Sequence, residues 1–321
     1  MAGTLERPER VGPGLIPVAT EGAPGVIEYF QQERYRPFAL EHPGDGPDRL
    51  GVMLVHGFTG TPADMRPLAD ELHARGADCH GLLHPGMAID IANLSKMTSE
   101  VWRSSALKHW ERHVARYRRT VLVGYSMGGA AAIQMAAHHA ADLVILLAPF
   151  SRINDRRAVF LPVAKHLLRE FRLLSQLDFD DPWVRDWFKV TLPDVDLDDP
   201  EMRRVIREES GIAAPVIDEL RKFGAVGRRV ASQVTAPVVV IQGHHDTVVN
   251  PRDTRDLINR FPRLQAYHEI PGDHLLPMAG SAAWPEVRSL VLHEVHQFLP
   301  AGAVLDDPWV GQGSGHGATH N

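Results

Sequence analysis

An apolar run that ends in a serine between two glycines constrains the fold of this 321-residue chain more than any other feature. Residues 121–123 are Val-Leu-Val, and Gly124-Tyr125-Ser126-Met127-Gly128 follows directly. This order predicts a buried strand that turns sharply into a helix, with Ser126 at the bend on strained backbone dihedrals. Such a turn needs neighbours without bulky side chains, and Gly124 and Gly128 meet that demand.

The position of Ser126 favours a nucleophile, which needs a base, an acid that orients the base, and donors for an oxyanion. Asp246 lies in the turn after the β-rich run 237–243, and His274 lies in the loop after a short predicted strand at 266–270. We therefore predict that Asp246 is the acid and that His274 is the base. The competing candidates are Asp253 and Asp273 for the acid, and His268, His293 and His296 for the base.

The loop that would supply the oxyanion donors follows another predicted strand. Residues 51–55 are apolar after a glycine, and His56-Gly57-Phe58-Thr59-Gly60 comes next. A His-Gly loop in this place supplies one backbone amide, and the residue after the nucleophile supplies the other. We predict that the donors are the N–H groups of Phe58 and Met127, and that Gly57 is the loop glycine.

Taken together, these motifs resemble the α/β-hydrolases of the carboxylesterase and monoacylglycerol-lipase group. Residues 56–60, 124–129, 236–246 and 272–274 carry the resemblance. It implies a mostly parallel, doubly wound sheet with a helical cap inserted after the sixth strand, and a catalytic triad in the chain order Ser, Asp, His.

The sequence departs from this group in two places. Such enzymes often carry Gly-His-Gly after the fourth strand, where this chain has His84-Pro85-Gly86. They also often show an acidic residue shortly after the catalytic histidine, and residues 275–279 have none. The first departure weakens any inference of the substrate from the resemblance, because it changes the loop beside the predicted site.

Strands and helices alternate along most of the chain, which is typical of a doubly wound sheet. The alternation breaks between residues 150 and 234, where aromatic and aliphatic residues are interleaved with charge. We predict an N-terminal arm at 1–25, a core at 26–149 and 235–300, a helical cap at 150–234 and a disordered tail at 301–321.

Composition limits the partners and the location. The chain is 44% hydrophobic with a formal net charge of −6, which argues against nucleic acid as a partner. Its single cysteine, Cys79, excludes an internal disulfide and lies in an apolar run, where a buried structural thiol is expected. No run approaches the roughly 20 apolar residues of a membrane span. We predict a cytoplasmic protein without an integral membrane segment.

Histidine is abundant, with 18 copies, so metal binding has to be considered. His109 and His113 are four residues apart on one predicted helical face, a spacing that can share a metal. Glu111 lies on a different face and no third ligand is identifiable, so we predict a surface helix and no metal. Residues 124–129 lack the glycine spacing of a dinucleotide loop, and the expected chemistry needs no cofactor.

The resemblance and the motifs together predict hydrolysis of a carboxylic ester through an acyl-enzyme on Ser126. The expected partner is a small-molecule ester, by resemblance one with an apolar acyl chain. Four alternatives stay open: a thioesterase, a peptidase, a hydrolase of carbon–carbon bonds with the same triad, and a ligand-binding protein without turnover on this fold. The oligomeric state is not predicted.

Overall fold

Nine strands are present in the computed structural model of the chain, which describes residues 30–44, 48–153, 170–171, 177–192, 195–209 and 211–299. Their bounds are β1 Phe38–Leu40, β2 Leu50–Val55, β3 Asp78–Leu82, β4 Arg119–Tyr125, β5 Leu143–Leu147, β6 Glu170–Phe171, β7 Ile212–Ala213, β8 Val238–Gly243 and β9 Leu264–Ile270.

Seven of these strands form the main sheet in the order β1-β3-β2-β4-β5-β8-β9. Strand β1 pairs antiparallel with β3, and the other neighbours pair in parallel. Every residue of β2, β5 and β8 is buried, which is the pattern of parallel strands covered on both faces. The predicted mostly parallel, doubly wound sheet is confirmed.

The helices surround this sheet in two groups. Their bounds are α1 Arg66–His73, α2 Ser99–Arg116, α3 Met127–His138, α4 Pro182–Thr191, α5 Pro200–Glu209, α6 Ala214–Val230, α7 Pro251–Ile258 and α8 Trp284–His296. Helices α2, α3 and α6 contact one another, whereas α1 contacts α8. This division is the doubly wound arrangement, in which helices cover the sheet on both sides.

Local sequence signals explain where the key helices begin. The Thr98 side chain accepts a hydrogen bond from the backbone N–H of Val101 and caps α2. The Asn250 side chain caps α7 in the same way through the N–H of Arg252. Helix α7 starts directly after the turn that follows β8, so the Asn250 cap fixes the end of that turn.

Between β5 and β8 the chain forms α4, α5, α6 and a two-stranded sheet of β6 and β7. Five strands of the main sheet precede this segment in the described residues, one fewer than the resemblance implies for a cap after the sixth strand. Helix α6 packs against α3 and α2, the helices that follow and precede β4. The cap role of 150–234 stays a prediction. The predicted arm at 1–25 and tail at 301–321 lie outside the described residues.

Among the described residues, no helix combines the length and the apolar character needed to cross a lipid bilayer.

Candidate active site

Ser126 occupies the predicted turn between β4 and α3. Its dihedrals are φ 54° and ψ −118°, a strained conformation for a residue with a side chain. A Cβ atom at Gly128 would lie 2.1 Å from the Val55 carbonyl oxygen, and one at Gly124 would lie 2.4 Å from the Gly128 carbonyl oxygen. Only glycine fits at these two positions, so the sequence dictates a close turn that presents the Ser126 hydroxyl beyond the end of β4.

The side chains of Ser126, His274 and Asp246 converge at the carboxyl ends of their strands. The Ser126 Oγ lies 3.0 Å from Nε2 of His274, and Nδ1 of His274 lies 2.7 Å from Oδ2 of Asp246. All three residues are buried, with 8%, 9% and 5% of their surfaces exposed. Three residues up to 148 positions apart therefore form one chain of hydrogen bonds.

The hydrogen bonds around Asp246 determine which atoms donate and which accept in this chain. Its Oδ1 accepts hydrogen bonds from the backbone N–H groups of Val248 and Val249, each at 2.8 Å. Its Oδ2 accepts a hydrogen bond from the side-chain amide of Gln242 at 3.0 Å. With both oxygens accepting, the proton between His274 and Asp246 belongs to Nδ1 of the imidazole. Nε2 of His274 then carries a lone pair and can take a proton from the Ser126 hydroxyl.

Phe58 and Met127 carry the backbone N–H groups that the sequence predicts as oxyanion donors. Met127 follows Ser126 directly, and a Cβ at Gly57, the residue before Phe58, would lie 3.2 Å from the Ser126 Cβ. Met127 is the first residue of α3, where helical N–H groups lack partners within the helix. Neither N–H has a hydrogen-bond acceptor among the residues that the structure describes. Two unpaired backbone donors beside a serine hydroxyl can stabilise an anionic oxygen.

The ring of His56 orients one of these donors. Its Nδ1 donates to the Gly57 carbonyl oxygen at 2.7 Å, and that oxygen also accepts from the N–H of Gly60 at 3.2 Å. Because a trans peptide is planar, a fixed Gly57 carbonyl aims the Phe58 N–H in the opposite direction.

The protonation state of His56 suits this role. Its Nε2 accepts from the backbone N–H of His84 at 3.2 Å, so the proton of the neutral ring belongs to Nδ1. Burial lowers the pKa of His56 to about 4. The ring is therefore neutral at physiological pH and keeps donating to the Gly57 carbonyl.

Tyr125 contacts the loop that carries the predicted base, His274. Its buried hydroxyl donates to the backbone carbonyl of His274 at 2.9 Å, and the two rings lie 5.0 Å apart between centroids. Burial raises the pKa of Tyr125 well above its ordinary value, so the hydroxyl stays protonated and remains a donor. The residue before the serine thereby ties the loop that carries His274 to the end of β4.

Backbone strain collects at the same edge of the sheet. Among the described residues, four non-glycine residues have positive φ, and each follows the carboxyl end of a parallel strand: Thr59 after β2, Ala88 after β3, Ser126 after β4 and Ala148 after β5. Residues in this region are held there at a cost by the surrounding structure, and they cluster at functional sites.

A comparison with protein families agrees with this geometry. The family model described as serine aminopeptidase S33, Hydrolase_4, matches residues 46–273 and so covers more than half of the chain. The chain belongs to this family.

Relatives of the chain include esterases and lipases. The carboxylesterase of Bacillus subtilis (strain 168) is 21% identical over 253 residues, which cover 77% of this chain and 91% of the relative. The thermostable monoacylglycerol lipase of Bacillus sp. (strain H-257) is 34% identical over 103 residues, and that match spans 32% of this chain and 39% of the lipase.

Solved structures show the same fold. The structure reported for LipS and LipT, two metagenome-derived lipolytic enzymes, superposes with a TM-score of 0.65 at 18% identity, covering 83% of this chain and 98% of that chain. The predicted α/β-hydrolase fold is confirmed. The predicted enzyme class, a serine hydrolase of the carboxylic ester hydrolases, is confirmed at the level of the family and its relatives.

The structure of this family member brings together Ser126, Asp246 and His274 as predicted, and it excludes the rival residues from the hydrogen-bond chain. Asp253 bonds with Arg152, and the Asp273 carboxylate accepts from the N–H of Leu275. Sequence reasoning missed Gln242, the hydroxyl of Tyr125 and the ring of His56. One signal was available, since Gln242 is the only polar residue in an otherwise apolar strand.

The histidines of α2 correct a prediction. His109 is exposed, but His113 is buried and stacks on Trp110 at 5.5 Å between ring centroids. The surface helix predicted for both is wrong for His113. The reason lies in the spacing of Trp102, Ala106 and Trp110, four residues apart, which turns that face of α2 into the core.

Another group of possible ligands, His42, His73 and Asp78, lies at the opposite end of the sheet, because Asp78 begins β3. The His42 and His73 rings stack at 4.0 Å and are inclined by only 23°. Each ring also donates to a backbone carbonyl, His42 to His73 and His73 to Ala77. One nitrogen of each ring is thus already used within the protein's own hydrogen-bond network.

Proposed function

We propose that the chain hydrolyses carboxylic esters through an acyl-enzyme on Ser126. The observation that carries the proposal is the directed chain of hydrogen bonds from Ser126 through His274 to Asp246. It supplies an accepting nitrogen 3.0 Å from the hydroxyl, and two unpaired backbone N–H groups lie beside it. Nucleophile, base, orienting acid and oxyanion donors are the parts that acyl transfer by serine requires.

The proposed reaction has two halves. In the first, Oγ of Ser126 attacks the ester carbonyl carbon while Nε2 of His274 takes the hydroxyl proton. The carbonyl oxygen becomes an oxyanion held by the N–H groups of Phe58 and Met127. His274 then gives the proton to the alcohol, which leaves as the carbon–oxygen bond breaks.

In the second half, His274 takes a proton from water as the water oxygen attacks the acyl carbon. Collapse of this second intermediate releases the acid and returns the proton to Ser126. Asp246 stabilises the imidazolium in both halves without accepting its proton. No cofactor or metal enters either step.

Two considerations support an ester with an apolar acyl chain as the substrate. The Phe58 ring packs edge-on against Trp102 at 6.0 Å, and Trp102 packs in the same way against Phe223 of α6 at 5.9 Å. Trp102 and Phe223 are buried in the core, so these rings give the loop that carries Phe58 apolar surroundings and connect it to α6 in the predicted cap. The related carboxylesterase and monoacylglycerol lipase favour a simple acyl ester or a monoacylglycerol.

A panel of substrates tests the proposal. It contains p-nitrophenyl esters of rising chain length, monoacylglycerols, acyl-CoA thioesters and aminoacyl amides. We expect turnover of the esters with an optimum chain length, and loss of that turnover in Ser126→Ala. Ser151→Ala is the matched control, because Ser151 is also a buried serine and its hydroxyl has no partner among the described residues.

The same panel separates the alternatives. Stoichiometric labelling of Ser126 by a fluorophosphonate, together with ester turnover, supports catalysis. Ligand-induced thermal stabilisation without product release would instead indicate a binding protein. The family description, serine aminopeptidase, makes peptide hydrolysis the second candidate, and faster turnover of aminoacyl amides than of esters would favour it. A cytoplasmic location stays a prediction.

A further inference from the structure

We propose that Gln242 is a positioning residue for the acid of the triad, a role that rests on the proposed function. Gln242 is the second-last residue of β8 and is fully buried. Its side-chain amide lies against the Asp246 carboxylate at 3.0 Å. Apart from His274, it is the only side chain with a hydrogen bond to that carboxylate among the described residues.

The surroundings fix which end of the amide faces Asp246. The Nε2 atom of Gln242 contacts three acceptors: Oδ2 of Asp246, the Gly243 carbonyl at 3.2 Å and the Val249 carbonyl at 3.3 Å. On the other side, its Oε1 accepts from the Thr254 hydroxyl at 2.6 Å. An amide oxygen cannot face three acceptors, so the NH₂ group must point toward the carboxylate.

This arrangement determines where the carboxylate can lie. The N–H groups of Val248 and Val249 hold one oxygen of Asp246, while Gln242 and His274 share the other. Without the amide, that oxygen would be held by His274 alone. Gln242 therefore keeps Oδ2 in place when the imidazole moves or changes charge during the reaction.

Thr254 extends the support to a helix. It lies in α7 and is fully buried, and its hydroxyl anchors the Gln242 amide from behind. The link runs from α7 through Thr254 and Gln242 to Asp246, and from there to His274. Helix α7 thereby takes part in aligning the base although none of its side chains touches Ser126.

The decisive variant is Gln242→Leu, which fills a similar volume without the amide. We expect kcat to fall about tenfold or more, because the general base is misaligned, with KM little changed. A purely structural role would lower the melting temperature and leave kcat of the folded protein at the wild-type value.

Gln134→Leu is the matched control. Gln134 is a buried glutamine in α3 whose amide donates to the backbone carbonyls of Ala130 and Phe223, not to Asp246. The substitution removes a buried amide in the same manner and should leave kcat at the wild-type value. A fall in kcat of equal size in this control would overturn the proposal.

Thr254→Val provides a second measurement if Gln242→Leu fails to fold. It removes only the hydroxyl behind the amide, and we expect kcat to fall about threefold with KM unchanged. Wild-type kcat in Thr254→Val or in folded Gln242→Leu contradicts the inference. A failure of the proposed function looks different, because the wild-type protein itself would then show no ester turnover dependent on Ser126.

Discussion

The two ends of the central sheet hold similar side chains and use them differently. At the carboxyl end, Ser126, His274 and Asp246 form a chain of hydrogen bonds. At the amino end, the Tyr117 hydroxyl donates to Asp78 at 3.2 Å and accepts from Nε2 of His80 at 2.9 Å. Each end therefore carries a hydroxyl, an imidazole and a carboxylate in contact.

Two properties distinguish the carboxyl end. The strained residues Thr59, Ala88, Ser126 and Ala148 all lie there. The N–H groups of Phe58 and Met127 also lie there without acceptors among the described residues, whereas the amino-end hydroxyl both donates and accepts. Residue types alone therefore do not distinguish a candidate active site from a structural cluster. Backbone strain and unpaired donors beside a hydrogen-bond chain distinguish it, because only groups without another partner can stabilise a transition state.

The largest contrast should come from removing one imidazole at each end. We expect His274→Ala to lower kcat by about 10⁴-fold or more, because both proton transfers depend on that ring. His80→Ala should leave kcat unchanged, since its partner Tyr117 lies far from Ser126. Ester turnover at saturating substrate measures both. Comparable losses in the two variants would erase the distinction between the ends.

A smaller effect should follow from changing the orientation of one predicted oxyanion donor, the N–H of Phe58. His56→Leu removes the donor to the Gly57 carbonyl, and we expect kcat to fall about tenfold to a hundredfold, short of losing the donor outright. His56→Asn keeps an N–H group near the position of Nδ1 and should recover most of that loss. Similar kcat values for the leucine and asparagine variants would count against this role of the ring.

Matched tyrosines sharpen the comparison further. Tyr125→Phe removes the bond to the His274 carbonyl, and we expect about a tenfold fall in kcat with KM little changed. Tyr117→Phe removes a hydroxyl from the amino end and should lower only the free energy of unfolding, by about 1–3 kcal/mol, because Asp78 loses a donor. Denaturant titration beside steady-state kinetics separates the two effects. A fall in kcat for Tyr117→Phe would contradict the assignment.

The last prediction concerns the pH dependence of stability. Burial lowers the pKa of His113 to about 4 from an ordinary value of 6.5. The unfolded chain therefore binds a proton that the folded chain excludes between pH 6.5 and 4. The contribution of His113 is fully present above pH 6.5, and it falls by about 1.4 kcal/mol per pH unit as the pH drops.

Replacing His113 with glutamine tests this linkage. His113→Gln should flatten the pH dependence of the free energy of unfolding by one proton over that interval, as measured by urea titration at several pH values. His56 and His84 act in the same direction, and Asp64, whose pKa burial raises to about 6, acts in the opposite one. His109→Gln on the exposed face of α2 is the control, and an identical change there would refute the assignment to His113.

The sequence was sufficient to predict the placement of residues that depend on a local pattern. Ser126, Asp246 and His274 each follow a strand-like run, and parallel strands end at one edge of a sheet. Helix α2 at Ser99–Arg116 also depends on local signals, since Thr98 caps it and buried residues four positions apart line one face.

Contacts set by packing between distant segments could not be predicted in this way. The bond from Tyr125 to His274 joins residues 149 positions apart, and nothing in either segment indicates the other. Gln242 and Asp246 are close in sequence, yet the direction of the amide depends on Thr254 in α7. The pairing of β6 with β7 joins residues about forty positions apart with no periodic signal.

The close approach of Gly128 to the Val55 carbonyl also limits which residues of the candidate site can be changed. A Cβ at Gly128 would lie 2.1 Å from that oxygen, so the turn that carries Ser126 and the end of β2 leave no room for a larger residue. Attempts to retune specificity by mutation should accordingly target the segment between β5 and β8 and leave the glycines untouched.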